Sequence, residues 1–248
     1  MDRTRIWLMG WGLTMAASGL GPTGAQEPAK GLSQLADRLN LTDRNVGTWL
    51  ERLGAAGEGR TGERLLVLGP SGEAVAERNG GESSVVIDPE LDRLLLDPGQ
   101  PVVLVHNHPA SVGLSAADIG QIAKPGVTAI LAIGHDGSMF LAAAGPAMSR
   151  DFLEDRQYAQ ALREVKARLR TSAPSARVSS AERDAHLNHL VTRALAEARV
   201  IQYWFALRGA SRESYQRARS VFNQVVAGAA AQLKNTRAAT GRAASPHA

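Results

Sequence analysis

Pro101-Val102-Val103-Leu104-Val105-His106-Asn107-His108-Pro109 is the stretch on which the reading of this chain turns. Its first part is a continuous apolar run, which predicts a buried strand. Pro109 ends that strand, because proline has no N–H to give a sheet ladder. Successive strand side chains point to opposite faces, so His106 and His108 present their imidazoles to one side while Asn107 faces away. Six residues later the chain reads Ser115-Ala116-Ala117-Asp118. By itself that quartet is an ordinary helix-capping box, in which both side chains satisfy helix N–H groups. On a helix from Ser115 to about Ala123, however, Asp118 sits one turn in and can swing its carboxylate back toward the histidines. Two imidazoles and one carboxylate leave a fourth position for water, as catalytic zinc requires. Each piece alone has a structural explanation; an apolar strand ending in His-x-His and feeding such a helix points to a metal site made by His106, His108 and Asp118.

Working outward, strands are expected at Arg64–Leu68 and Ala74–Arg78, with a turn at Pro70-Ser71-Gly72 between them. A further strand fits Ser84–Ile87, and Pro89 opens a short helix through Leu95. Beyond the capping box, strands fit Val127–Ile133 and Met139–Ala143, joined by the tight-turn pair Asp136-Gly137. His135 reads as a turn residue. Together Arg64–Gly145 predicts a compact α/β unit. Ahead of it, Leu32–Leu53 reads as helical, in two short pieces meeting near Thr42-Asp43, followed by a Gly-rich breaker from Gly54 to Gly62. Behind it the chain reads as helical. Tyr158, Leu162, Val165 and Leu169 mark one amphipathic helix; Leu187, Val191, Leu195, Ala198, Ile201 and Phe205 a second; Tyr215, Phe222, Val225 and Leu233 a third. Residues beyond Lys234 read as disordered. His186 and His189 stand three apart on the second helix and can share a metal in principle, but a solvated helix face is the default.

The domain organisation predicted is therefore residues 1–25 as a signal peptide, 26–62 as a helical segment and linker, 63–148 as the α/β domain, 149–236 as a helical C-terminal region and 237–248 as a tail. The signal reading rests on Arg3 and Arg5, then the apolar stretch from Ile6 to Leu20, then the small residues Thr23-Gly24-Ala25. It implies a periplasmic or secreted protein, a cytoplasmic one being the alternative, with no transmembrane segment in the mature chain. There are no cysteines, which excludes disulfides, thiol nucleophiles and Cys-ligated zinc. Charge is uneven: residues 1–150 hold 12 Lys/Arg against 16 Asp/Glu, residues 151–248 hold 16 against 8. The basic part lacks the aromatic-and-basic surface of a nucleic-acid reader, so nucleic acid is not the expected partner. Its amphipathic helices are expected to pack on the α/β unit, on one another or on a partner helix.

His106-Asn107-His108-Pro109 with Ser115-x-x-Asp118 resembles the motif of the JAMM (MPN-type, JAB-domain) zinc metalloproteases, and His-Asn-His-Pro is similar to the bacterial RadC-like branch. The resemblance covers roughly residues 63–145. The loop between His108 and Ser115 is one residue shorter than the commoner family pattern. The resemblance implies an MPN/JAB-like domain with a central mixed sheet flanked by helices, and a Zn2+-dependent peptidase or isopeptidase acting on a protein or peptide through zinc-activated water. Ser115 would then hydrogen-bond the developing oxyanion. An upstream glutamate would act as general base. Glu77, in a strand-like run, is preferred to Glu82, which follows Gly80-Gly81, because a base must be held rigidly. An inactive scaffold of the same fold, or a nucleic-acid-associated protein, are the alternatives.

Overall fold

The computed structural model describes residues 30–39, 41, 45–54, 62–82, 84–148, 156–172 and 178–243. The signal-peptide reading of residues 1–25, the helix junction at Thr42-Asp43 and the last residues of the tail lie outside them. In chain order the elements are α1 (Lys30–Arg38), α2 (Val46–Arg52), β1 (Arg64–Leu68), β2 (Ala74–Asn79), α3 (Pro89–Leu96), β3 (Val102–His108), α4 (Ala116–Gln121), β4 (Val127–Gly134), β5 (Met139–Ala144), α5 (Gln157–Ser172), α6 (Ser180–Glu197), β6 (Ile201–Ala206) and α7 (Gly209–Ala243). The strands form one six-stranded sheet in the order β2-β1-β3-β4-β5-β6. Among the described residues only β3 and β4 pair in parallel, and α4 supplies the crossover that a parallel pair needs. The protein is thus an α/β protein whose mixed sheet is flanked by helices.

Strand parity explains the layering. On β3, Val102 and Leu104 face a core shared with α3 to α7, whereas Val103 and Val105 face a smaller core under α1 and α2. All seven residues of β3 are buried, as befits a central strand covered on both faces. The large core draws on both halves of the chain: Leu65, Leu104 and Ile130 meet Val165, Leu190 and Phe222 in one cluster. The C-terminal helices therefore complete the core of the α/β unit, and their apolar faces are buried in it. Among the described residues, no helix is long and apolar enough to cross a membrane.

Three local expectations are corrected. Ile201 and Phe205 do not continue the second C-terminal helix; they belong to β6, which pairs antiparallel with β5. The helix stops at Glu197, and Arg199 takes a left-handed turn (φ 62°) before the chain extends. A spacing of four keeps two side chains on one face of either a helix or a strand, so that pair could not discriminate. The open edge of β5 and the β-forming run Ile201-Gln202-Tyr203-Trp204-Phe205 decided it. Ser84–Ile87 forms no strand: the Ser84 carbonyl accepts the Gly81 N–H at 2.9 Å, and the segment runs without regular structure into Asp88, which caps α3 through its side chain. Finally, α7 does not end near Lys234 but continues to Ala243, tied by Arg237 Nη1 donating to the Ala198 carbonyl.

His186 and His189 are not on a solvated face: they are only 2% and 1% exposed. His186 Nε2 meets Ser214 Oγ at 2.7 Å, His189 Nδ1 meets the Tyr203 hydroxyl at 2.9 Å, and Phe205 and Tyr215 pack around His189. Burial lowers both pKa values from the ordinary 6.5, that of His189 well below it. Each is therefore held neutral in the fold but free to protonate in the unfolded chain, so its contribution is fully present above pH 6.5 and is lost as pH falls below that value. Chemical denaturation between pH 7.5 and 5 is expected to show stability falling by up to about 1.4 kcal/mol per pH unit for each such histidine. His189→Gln should flatten that slope; an unchanged slope would refute the assignment.

Candidate metal centre

The end of β3 delivers His106 and His108 to the face of the large core, and α4 brings Asp118 to the same point. The two Nε2 atoms lie 2.8 Å apart. Asp118 Oδ1 is 3.3 Å from His106 Nε2, and Oδ2 is 3.5 Å from His108 Nε2. Ligands about 2.0–2.1 Å from a tetrahedral zinc are separated by about 3.3 Å; the two His–Asp contacts, one to each carboxylate oxygen, are of that size, and the His–His spacing is shorter. The three residues form a group, buried or nearly so, that can hold a metal ion.

The supporting shell fits this role. His108 Nδ1 lies 2.8 Å from the Val112 carbonyl. A carbonyl only accepts, so Nδ1 carries the proton and the neutral ring turns the Nε2 lone pair into the site. Asp118 Oδ2 accepts the Ser115 N–H at 2.7 Å, and Ser115 Oγ accepts the Asp118 N–H at 3.2 Å. The capping box and the ligand geometry thus coexist, with the cap orienting the carboxylate. Burial pushes the Asp118 pKa up, but the charges and hydrogen bonds of both histidines overcome it and hold the carboxyl well below its ordinary 3.8. For His108, burial pulls downward while Asp118 raises the value, and the net direction is upward.

The sheet brings a different glutamate to the site from the one expected. Glu77 pairs with Leu66, whose side chain belongs to the core under α1 and α2, so Glu77 points to the sheet face opposite His106 and His108. There it forms an ion pair with Arg64. Glu63, by contrast, precedes β1 by one residue. Leu65 lies opposite His106 in the antiparallel pair, so the next position on that face of β1, Glu63, falls beside His108. Its backbone is held by donating to the Gly81 carbonyl at 2.7 Å and accepting from Gly80 N at 2.8 Å. Half-buried, its carboxyl is raised above the ordinary 4.5 by burial, with His108 and His106 partly offsetting this and Asp118 adding to it. Glu63, Glu82 and Ser115 all line the cavity over the site; Glu82 stands exposed there. The available signal for Glu63 was its place immediately before an apolar strand, but only the β1–β3 register makes it meaningful.

A second contribution comes from 70 residues downstream. Asn188 on α6 lines the same cavity and donates to the Gly113 carbonyl at 3.3 Å. The Tyr158 hydroxyl reaches the Leu114 carbonyl at 3.4 Å. These groups clamp the loop that carries Val112 and Ser115, and no local pattern around Asn188 announces the role. Gly113 lets that loop approach closely: a Cβ there would lie 2.7 Å from His189 N and 2.9 Å from its Cα. Backbone cannot give way as a side-chain tip can, so Gly113→Ala is expected to cost about 1–3 kcal/mol by overpacking and to weaken metal affinity. Thermal unfolding and competition with a chelator check the two effects.

Asn107 faces the other way, fully buried. Its Oδ1 accepts the Arg64 N–H at 2.7 Å, and its Nδ2 donates to the Gly62 carbonyl at 3.0 Å and lies 3.1 Å from His135 Nε2. It therefore locks β1 against β3 beside Glu63, and His135 serves this lock.

Compared with protein families, curated proteins and solved structures, the chain matches none. What its fold and site define is an α/β protein with a six-stranded mixed sheet and a buried His-His-Asp group able to hold a metal ion.

Proposed function

We propose that this protein is a Zn2+-dependent amide hydrolase, a peptidase or isopeptidase of the JAMM kind on an MPN/JAB-like fold. The observation that carries the reading is the convergence of His106 Nε2, His108 Nε2 and the Asp118 carboxylate beside a half-buried glutamate, Glu63, in one cavity. A zinc ion held by the three ligands would supply a Lewis acid and lower the pKa of a water to about 7.

The chain's own groups divide the remaining work. Glu63 is held at its backbone on both sides, and its carboxylate faces the ligands, so it takes a proton from the attacking water and returns it to the leaving amine. This role passes to Glu63 from Glu77, which the sheet turns away. The elevated Glu63 pKa suits proton exchange nearer neutrality than an ordinary carboxylate allows. Ser115 Oγ accepts from Asp118 N and keeps its own hydroxyl hydrogen, which it offers to the carbonyl oxygen of the bound amide. Asn188, at the cavity wall, keeps the intervening loop in place.

The reading is tested by incubating zinc-loaded protein with a peptide library and identifying cleaved amide bonds by mass spectrometry. Cleavage that a chelator stops and added zinc restores is expected; a library left intact by zinc-loaded protein would count against hydrolysis. We also propose export, with cleavage near Ala25. Mass spectrometry of the mature protein should find a chain beginning near Gln26, and an intact Met1 or Asp2 terminus would overturn that.

A further inference from the structure

Resting on the metal-site reading above, we infer that the cavity takes an uncharged, apolar side chain adjacent to the carbonyl presented to His106, His108 and Asp118, and that it discriminates against acidic ones. The cavity encloses about 310 Å³, near the lower end of the ~300–1,000 Å³ typical of ligand sites. That suits one or two residues of an extended chain rather than a broad folded surface.

Its lining mixes polar and aliphatic groups. Leu65, Leu104 and Ile130, from three neighbouring strands, are buried core residues at its floor. The half-buried Val85 and Ile87, from the irregular stretch after β2, give the apolar wall that a ligand can reach. Leu65 lies opposite His106 and Leu104 precedes it by two, on the same face. The apolar surface therefore begins where the imidazoles end, and a ligand whose carbonyl meets the metal ligands lays its neighbouring side chain over this wall.

The charged lining has one sign apart from the histidines. Glu63, Glu82 and Asp118 contribute carboxylates, and no Lys or Arg among the described residues lines the cavity. The +2 charge of a bound zinc is matched by Asp118 and Glu63, so Glu82 leaves the lining net negative. An acidic side chain reaching past the metal would lose water beside Glu82, with no Lys or Arg among the described residues to compensate. The same deficit disfavours a phosphodiester backbone, whose binding depends on Lys and Arg.

Calorimetric titration of the zinc-loaded full chain with glycine, leucine and aspartate hydroxamates tests this, since all three share the metal-chelating group and differ in the side chain. Leucine hydroxamate should bind at least about tenfold tighter than glycine hydroxamate, the scale of an apolar group filling a hydrophobic pocket, and aspartate hydroxamate should bind weakest. Ile87→Ser, outside any helix or strand, should shrink the leucine-to-glycine ratio, with zinc content equal to the parent's as the control for folding. Glu82→Lys, at an exposed position, should raise aspartate hydroxamate affinity severalfold at low salt and less at high salt. Equal affinity for leucine and glycine hydroxamates, or tightest binding of the aspartate compound, in a chain that does take up zinc would overturn this inference alone. A parent chain that takes up no zinc would overturn the metal-site reading and this inference with it.

Discussion

Alanine at both His106 and His108 should abolish uptake of about one zinc per chain, while the parent retains it after gel filtration in the absence of chelator. Loss of an outer-shell partner typically costs about 10–100-fold in affinity, and removal of two of three direct ligands must cost more. The structure supports a sharp result because the three ligand residues already converge before any ion is considered, and because the Val112 carbonyl presets the His108 tautomer. Both histidines are buried, 4% and 5% exposed, so the double variant needs a folding control by circular dichroism. Asp118→Asn gives an independent route: the amide oxygen can still accept the Ser115 N–H and preserve the cap, but the charge is gone. Zinc uptake by the folded double variant at the parent level would refute the ligand assignment.

Glu63→Gln should keep zinc and lose turnover by about 10²–10⁴-fold, the usual cost of removing a positioned acid/base group. The amide is nearly isosteric and cannot take up a proton at neutral pH. The backbone hydrogen bonds of Glu63 to Gly80 and Gly81 do not involve the side chain and survive the change. Glu77→Gln should leave the rate near that of the parent, since Glu77 sits across the sheet in its pair with Arg64. Glu82→Gln, exposed at the cavity, should act chiefly on substrate affinity. Parent-level hydrolysis by Glu63→Gln would remove it as the base, and a dead Glu77→Gln would show that the β1–β2 pairing is not the one described.

The contrast between Glu63 and Glu77 marks where sequence reading runs out. Alternation along one strand is a local property, so His106 and His108 on one side and Asn107 on the other follow from covalent geometry alone. Which glutamate joins them depends on how β1 and β2 register against β3, and a shift of one residue moves a side chain to the opposite face. That register is set by contacts between distant segments, including Asn107 bridging to Arg64 and Gly62. The same limit explains β6, whose apolar spacing suited helix and strand alike until β5 offered an open edge.

What the sequence determined by itself was therefore everything carried by local order. The apolar run ending at Pro109 predicted β3, and Pro89 and Ser115-x-x-Asp118 marked the starts of α3 and α4. Ligand spacing in the His-x-His pair came from strand period alone. The tertiary structure decided which face of each strand meets which core, that the basic C-terminal helices complete that core, and that Glu63 and Asn188 reach the site. These choices follow from burying apolar surface among segments as far apart as Leu65 and Phe222, a cooperative balance that no short window of sequence contains.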